Sequence, residues 1–113
     1  ANYYSYLLGS ESHVAVVVED VISATVVAKE LPKVTGVAIL GTSLNDKHKE
    51  YLTNFKKIII ALDPDAAIKT IAYTKELKSF CDDKTSVLAY RLEDDFKYRR
   101  ENDVSNIKEV TYG

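Results

Sequence analysis

The strongest constraint on the fold of this chain is a set of short apolar runs, rich in β-branched residues, that alternate with segments of helical composition. The clearest runs are Val14–Val18 and Ile58–Leu62. Neither alternates between polar and apolar residues, as a strand with one face in water would. Strands buried on both faces are typical of parallel sheets. The pattern therefore predicts an α/β fold of three layers, in which helices flank a central four-stranded parallel sheet with strands at residues 14–18, 37–40, 58–62 and 86–92.

Four helices are expected around this sheet. They are predicted over Val21–Leu31, from Ser43 to Phe55, over Ala66–Phe80 and over Val104–Val110. Ser43 and Asp46 have the spacing of a capping box, and Asp103 is the predicted N-cap of the last helix. Residues 1–13 are predicted to form a lead-in segment or an edge strand.

The net charge, the length of the apolar runs and the cysteine count each argue against a class of function. With 15 Lys and Arg against 17 Asp and Glu, the net charge of -2 provides no general attraction for a polyanion. No apolar run approaches the roughly 20 residues of a membrane span, so we expect a soluble cytoplasmic protein without a membrane partner. Cys81 is the only cysteine, which argues against a disulfide or a cysteine metal cluster. A length of 113 residues predicts a single domain, residues 1–113. Because the chain has no Met, we expect that this domain was excised from a longer protein.

Acidic residues follow two of the predicted strands directly. Glu19 and Asp20 end the first strand, whereas Asp63 and Asp65 flank Pro64 after the third. If these strands are neighbours, their carboxylates share one small volume and favour a hard divalent cation such as Mg²⁺. The alternative is helix capping, in which Asp20 caps the helix from Val21 and Asp65 the helix from Ala66.

Three blocks of sequence resemble the TOPRIM domain, which is shared by DnaG-type primases, phage helicase-primases, topoisomerases and several nucleases. The blocks are Val16–Glu19, Ile39–Leu44 and Ile60–Ala67, in this order and with matching spacing over nearly the whole chain. The resemblance is greatest to the primases and phage helicase-primases. It implies a TOPRIM-like three-layer fold.

The resemblance also implies a set of site residues. In that family a Glu after the first strand and an Asp-x-Asp after the third bind catalytic Mg²⁺, which implies catalytic and metal-binding roles for Glu19, Asp63 and Asp65, with Mn²⁺ as a substitute ion. Asp103 lies in a segment similar to a late acidic motif of the primases and is expected to bind metal too.

The function implied by this resemblance is nucleotidyl transfer that makes RNA primers on single-stranded DNA. The expected partners are the DNA template, nucleoside triphosphates and the remaining domains of a helicase-primase, in the bacterial host cytoplasm if a phage encodes it. We expect this chain alone to be inactive. Lys97, Arg99 and Arg100 precede Asp103 in a loop expected at the acidic edge of the sheet, where they would contact template phosphates unless the loop is merely exposed.

Three alternatives remain open. A TOPRIM nuclease would use the same acids on water. A TOPRIM domain without catalysis is suggested by Asp20, Ser23 and Ile68, which stand where family members usually have Gly, Asp and Gly. A receiver-type signalling module also has acids after its first and third strands, but this chain lacks the Ser or Thr and the Lys-Pro turn that would follow.

Overall fold

The computed structural model describes residues 3–6, 13–39 and 44–112, which form five strands and four helices in a βαβ succession. The strands are β1 Tyr3–Tyr6, β2 Val14–Val18, β3 Val34–Ile39, β4 Lys57–Ile60 and β5 Ser86–Ala89. The helices are α1 Val21–Glu30, α2 Asp46–Leu52, α3 Ala67–Phe80 and α4 Glu101–Tyr112. Two short 3-10 turns, Pro64–Ala66 and Phe96–Tyr98, precede α3 and α4.

The strands form one sheet in the order β1-β3-β2-β4-β5. The last four pair in parallel, whereas β1 pairs antiparallel with β3 and forms one edge. The predicted α/β class and its four-stranded parallel sheet are therefore confirmed. The N-terminal segment was predicted to be a lead-in segment or an edge strand, and Tyr3–Tyr6 forms an edge strand.

Strand boundaries differ from the predicted ones where the residue type changes within a strand. Residues 14–18 are as predicted, but β3 begins three residues earlier than residue 37, because Thr35 and Gly36 are buried without belonging to the apolar run. Its predicted last residue, Leu40, lies outside the described residues. The strands β4 and β5 end at Ile60 and Ala89, before the predicted residues 62 and 92. The chain after β4 nevertheless stays buried through Leu62.

Both faces of the sheet are covered, which explains the continuous apolar composition of its central strands. Successive residues of a strand point to opposite faces. Accordingly Ala15 and Val17 pack on the side of α2 and α3, whereas Val16 and Val18 pack on the side of α1 and α4. No helix in the described part of the chain has the length and apolar character that crossing a membrane requires.

Helix α1 packs directly against the backbone of β3 at Gly36. An ideal Cβ built on Gly36 would lie 1.9 Å from the carbonyl oxygen of Ala24 and 2.7 Å from its carbonyl carbon. Both atoms belong to the backbone, so no side-chain rotation could relieve the clash. Gly36 therefore sets the distance at which α1 packs on the sheet.

Side chains at the starts of the helices decide between some of the alternatives. Asp20 is the N-cap of α1, since its carboxylate accepts a 2.7 Å hydrogen bond from the Ser23 amide. In α2 the N-cap is Asn45, which forms a reciprocal capping box with His48. Ser43, the predicted cap, lies outside the described residues.

The predicted N-cap of the last helix is wrong. Helix α4 begins at Glu101, so Asp103 lies inside its first turn rather than before it. The Asp103 carboxylate points instead into the preceding loop, where it accepts hydrogen bonds from the amides of Glu93 and Asp94 at 2.9–3.2 Å. The partly buried amide groups of Glu93 and Asp94 require hydrogen-bond acceptors, and the Asp103 carboxylate supplies them.

Replacing Gly36 by Ala is expected to destabilise the fold by about 3 kcal/mol or more, because the added methyl group must push α1 away from β3. Urea unfolding of the two proteins measures the difference. Ser79→Ala, at an exposed position of α3, serves as the control and should change the unfolding free energy by less than about 0.5 kcal/mol. Equal stability of Gly36→Ala and the wild type would contradict the close packing.

Candidate metal centre

The candidate site lies where β2 and β4 end side by side. These strands pair in parallel with Val17 opposite Ile60, and the ladder continues with a 2.8 Å hydrogen bond from the Ala61 amide to the Val17 carbonyl. The chain then leaves the sheet at Glu19 on one strand and at Asp63 on the other. The Asp63 amide donates a 3.2 Å hydrogen bond to Oε2 of Glu19. Sheet register thus brings together two acids that are 44 residues apart in sequence.

Three carboxylates converge at this point. Glu19, Asp63 and Asp65 each offer an oxygen atom, and these oxygens lie within 4.8 Å of one another. Glu19 and Asp63 are half-buried, whereas Asp65 is exposed. Neither Asp63 nor Asp65 caps a helix, because the N-cap positions of the Pro64–Ala66 turn and of α3 have no side-chain hydrogen bond. The capping alternative therefore holds for Asp20 and is wrong for Asp65.

Partial burial and repulsion among these carboxylates have their largest effect on the pKa of Asp63. Partial burial, a side-chain hydrogen bond with Glu19 and the negative charges of Glu19, Asp95 and Asp20 together raise the pKa of Asp63 to about 7. Below that pH the Asp63 carboxyl keeps a proton that an isolated aspartate would release. A divalent cation would replace this proton and remove the repulsion.

One cation of the chain itself already partly compensates the cluster. The ammonium group of Lys69, in the first turn of α3, lies 3.7 Å from Oε1 of Glu19. Since Lys69 follows Asp65 by four residues, the start of α3 directs a positive charge to the acids that precede it. The charge is half-exposed and its energetic contribution is small, but its position makes it a competitor for any added cation.

The donor set fits a divalent ion of the magnesium type. Such ions prefer carboxylate and water oxygens at about 2.0–2.1 Å, so two opposite ligands lie about 4 Å apart. An oxygen separation of up to 4.8 Å needs only small side-chain rotations to reach this size. The described residues contribute no His or Cys to the group, which argues against an ion that prefers nitrogen or sulfur.

Asp103, the remaining predicted metal ligand, is not brought into this group. Its side chain is fully buried at 0% exposure, and both carboxylate oxygens accept hydrogen bonds from the Glu93 and Asp94 amides. The residue that approaches the site from this loop is Asp95, whose charge contributes to the raised pKa of Asp63. Asp103 thus shapes the loop that carries Asp95.

The three residues predicted to bind nucleic acid are all engaged in ion pairs. Lys97 lies 3.8 Å from Asp95, Arg99 lies 3.0 Å from Glu30, and Arg100 lies 3.2 Å from Asp94. Arg99 also adopts a left-handed backbone conformation with φ of 51°, which turns the chain into α4. A nucleic-acid phosphate would therefore have to displace an internal carboxylate at each of these positions.

Ser23, which stands where the resemblance leads one to expect Asp, has a structural role. It is 1% exposed, and its hydroxyl group donates to Oδ2 of Asp20 at 3.2 Å and accepts from the Lys97 amide at 3.2 Å. The hydroxyl therefore fastens the 3-10 turn Phe96–Tyr98 to the start of α1. This contact holds Asp95 beside the cluster.

Sequence reasoning missed Lys69 and Asp95. A spacing of four residues after Asp65 is a signal that could have identified Lys69, since α3 was predicted. No comparable signal existed for Asp95, because its position depends on the Ser23 hydroxyl group, which is distant in sequence, and on the direction in which the Asp103 carboxylate points.

The profile of the family described as Toprim-like matches residues 16–97, which include Glu19, Asp63 and Asp65 and cover well over half of the chain. A comparison with curated proteins finds no match.

Replacing Asp63 by Asn should stabilise the metal-free protein, and more so at higher pH. The pKa of Asp63 is about 7 in the fold and about 3.8 when unperturbed, so between these values the unfolded chain releases a proton that the folded chain keeps. The contribution of Asp63 to the free energy of unfolding therefore falls as pH rises from about 4 to 7. Asn cannot ionise, so the Asp63→Asn variant does not lose this stability. After discounting for solvent screening, the gain above pH 7 is roughly 1–2 kcal/mol.

Thermal unfolding in a chelator at pH 4 and pH 8 measures this effect. The Asp83→Asn variant, at an exposed turn position outside the cluster, should match the wild type at both pH values. A lower melting temperature for Asp63→Asn than for the wild type at pH 8 would show that the cluster is not repulsive.

Replacing Lys69 by Met should strengthen the binding of Mg²⁺ or Mn²⁺ alone by about three- to ten-fold, because a competing positive charge is removed from Glu19. Titration calorimetry measures the affinity. Lys69→Arg, which keeps the charge, and Lys75→Met, at an exposed position of the same helix, should both bind metal as the wild type does. Weaker metal binding by Lys69→Met would show that Lys69 supports the site instead of competing for it.

Proposed function

This chain belongs to the Toprim-like family, and we propose that it is the magnesium-dependent nucleotidyl-transfer domain of a DNA primase of the phage helicase-primase kind. TOPRIM domains bind divalent metal and act in nucleotidyl transfer or nuclease reactions, typically within nucleic-acid-processing enzymes. Within this family property we assign primer synthesis as the reaction of this domain and Mg²⁺ as its preferred ion.

The observation that carries the proposal is the convergence of Glu19, Asp63 and Asp65 at the carboxyl ends of neighbouring parallel strands. Ligand sites of open α/β sheets lie at this edge. These three residues would hold one or two Mg²⁺ ions. When bound, such ions neutralise the charge of phosphate oxygens and lower the barrier to attack on phosphorus.

The chain's own part in the reaction is positioning. Primer extension joins a 3′-hydroxyl to the α-phosphate of a nucleoside triphosphate and releases pyrophosphate, so two anionic groups must be held in line. Glu19 is fixed by the Asp63 amide and by Lys69, and Asp63 is fixed by the turn through Pro64. Carboxylates positioned by paired strands in this way orient the reactants with little reorganisation during the reaction.

The template is expected to bind mainly to other parts of the enzyme. The net charge of the chain is -2, and the cations of residues 97–100 are already paired with acids. Binding of single-stranded nucleic acid usually requires a continuous basic groove with stacking side chains. We therefore assign the template contacts to the remaining domains of a helicase-primase, with Lys97, Arg99 and Arg100 as secondary contacts once their partners release them.

In the longer protein that contains this domain, Glu19→Gln and Asp63→Asn are expected to abolish magnesium-dependent primer synthesis, because each removes a carboxylate of the cluster. Template-directed incorporation of ribonucleotides on single-stranded DNA measures the activity. Asp83→Asn should retain full activity. The 113-residue chain alone should make no primer and bind single-stranded DNA weakly at physiological salt.

Each other outcome of this assay contradicts a specific part of the proposal. Unchanged incorporation by either cluster variant would remove the catalytic role of the acids. Metal-dependent DNA cleavage without incorporation would replace the primase assignment by a nuclease, and metal binding without either reaction would favour a TOPRIM domain that has lost catalysis.

A further inference from the structure

Strand β5 forms an edge of the sheet in the described part of the chain, where β4 is its only strand neighbour. The amides of Ser86 and Tyr90 donate 2.9 Å hydrogen bonds to carbonyl groups on the β4 side. Backbone groups point alternately to the two sides of a strand, so those of Val87 and Ala89 point away from β4. Among the described residues, these outward amide and carbonyl groups have no hydrogen-bond partner. The edge therefore presents an open row of donors and acceptors.

The sequence of β5 does not protect this edge from a further strand. Edge strands are commonly protected by Lys or Pro residues, or by a bulge that disrupts pairing. Residues Ser86–Ala89 have the sequence Ser-Val-Leu-Ala and pair with β4 in regular register, so none of these features is present. An edge of this kind can bind an extended strand through its backbone groups.

Apolar side chains lie exposed beside the open edge on both faces of the sheet. On the face that α3 covers, Ile71 is 57% exposed. It lies on the side of α3 nearest the edge, because together with Ala89 it borders the space between α3 and the end of β5. On the other face, Leu88 is 37% exposed, whereas its neighbour Val87 points toward α3 and is buried. A partner that extends the sheet would cover both exposed side chains.

The charges that flank β5 indicate which partner fits this edge. Asp83 precedes Val87 by four residues, and Arg91 follows it by four. Both charged residues are exposed, and neither forms an ion pair within the described ranges. A second copy of β5 that runs antiparallel, with Val87 opposite Val87, therefore brings each Asp83 to the Arg91 of the other copy. The alternative register, with Leu88 opposite Leu88, would bring Asp83 to Glu93 and place like charges together.

We propose that two copies of this chain associate through antiparallel pairing of β5, about a two-fold axis at Val87. The outward backbone groups of the two Val87 residues bond to each other, and the outward amide of Ala89 bonds to the carbonyl group of Thr85 in the other copy. The contact is self-complementary and closes at two subunits, as a two-fold interface must. The sheet then runs continuously through both copies, with the two α3 helices on either side of the axis.

This association goes beyond the proposed function and does not depend on it. Antiparallel pairing reverses the direction of the second sheet, so the two carboxylate clusters lie at opposite ends of the joined sheet. Neither cluster can therefore contribute a metal ligand to the other.

Sedimentation velocity of the 113-residue chain tests the association. Dimers are expected to form between about 10 µM and 1 mM, because a contact of this small size is weak. Hydrogen exchange then identifies the surface. Once most of the chain is dimeric, the amides of Val87 and Ala89 should exchange about ten-fold more slowly than in the dilute monomer, because each gains a hydrogen bond. The amides of Ser86 and Tyr90, which bond to the β4 side in either state, are the internal control and should change little.

Replacing Ala89 by Pro removes an outward amide without removing a hydrogen bond to β4. Proline is tolerated in an edge strand in this orientation, so the variant is expected to stay folded, as circular dichroism measures, and to remain monomeric over the whole concentration range. Ala89→Ser, which keeps the amide at the same exposed position, should dimerise as the wild type does.

An exchange of charges tests the register. Arg91→Asp and Asp83→Arg each bring like charges together at both ends of the paired strands, so each should weaken dimerisation about ten-fold. The double variant restores opposite charges and should dimerise within about two-fold of the wild type. Asp83→Asn keeps an oxygen that accepts from the guanidinium group and should weaken dimerisation by less than about three-fold. Lys108→Glu changes the net charge as Arg91→Asp does but lies on the α1 side of α4, so it should have no effect.

A chain that stays monomeric over the whole range, or a double variant that does not recover dimerisation, overturns the proposal. Dimerisation that survives Ala89→Pro overturns it too, because the copies would then meet at another surface. Protection of the Val87 and Ala89 amides that arises only in the longer protein would assign the edge to another of its domains instead of to a second copy. None of these results bears on the binding of Mg²⁺, which calorimetry on the same samples measures separately and on which the proposed function depends.

Discussion

The parallel pairing of β2 with β4 is the interaction on which the rest of this structure depends. It places Val17 beside Ile60, and every later feature of the site follows from that register. A shift of one residue would turn Glu19 or Asp63 to the opposite face of the sheet. The register is fixed by packing, since both faces of these strands are buried under helices and each face carries its own apolar set. The hydrophobic core thus determines the geometry of a charged site that lies at its margin.

That site holds more negative charge than its own cations compensate. Partial burial and the excess negative charge raise the pKa of Asp63 to about 7, and the ammonium group of Lys69 offsets part of the charge on Glu19. The loop before α4 adds a further acid, Asp95, which is held in place by the Ser23 hydroxyl and by the buried carboxylate of Asp103. Asp103, which was expected to bind metal, and Ser23, which stands where family members usually have Asp, therefore both support this loop. Side chains outside the carboxylate cluster thus position a further negative charge, that of Asp95, beside it.

Much of this architecture could be predicted from the sequence, and the reason differs between elements. Residues 14–18 were predicted to the residue because an uninterrupted β-branched run has few other solutions, and Asp63 was assigned to the cluster because it follows such a run directly. The start of β3 was missed because Thr35 and Gly36 are buried for reasons of packing rather than hydrophobicity. The placement of Asp103 and the ion pair between Arg99 and Glu30 depend on groups that only the fold brings together. Local patterns contain no information about such partners.

The contact between Gly36 and Ala24 has a consequence for how far related sequences can diverge. Because two backbones touch there, the position accepts no side chain unless α1 moves outward, and α1 starts at Asp20, next to Glu19. A homologue that replaced this glycine would have to relocate its first acid relative to the other two. A glycine 17 positions after the glutamate is thus a criterion for recognising chains that share this geometry, even where the apolar residues around it have all been exchanged.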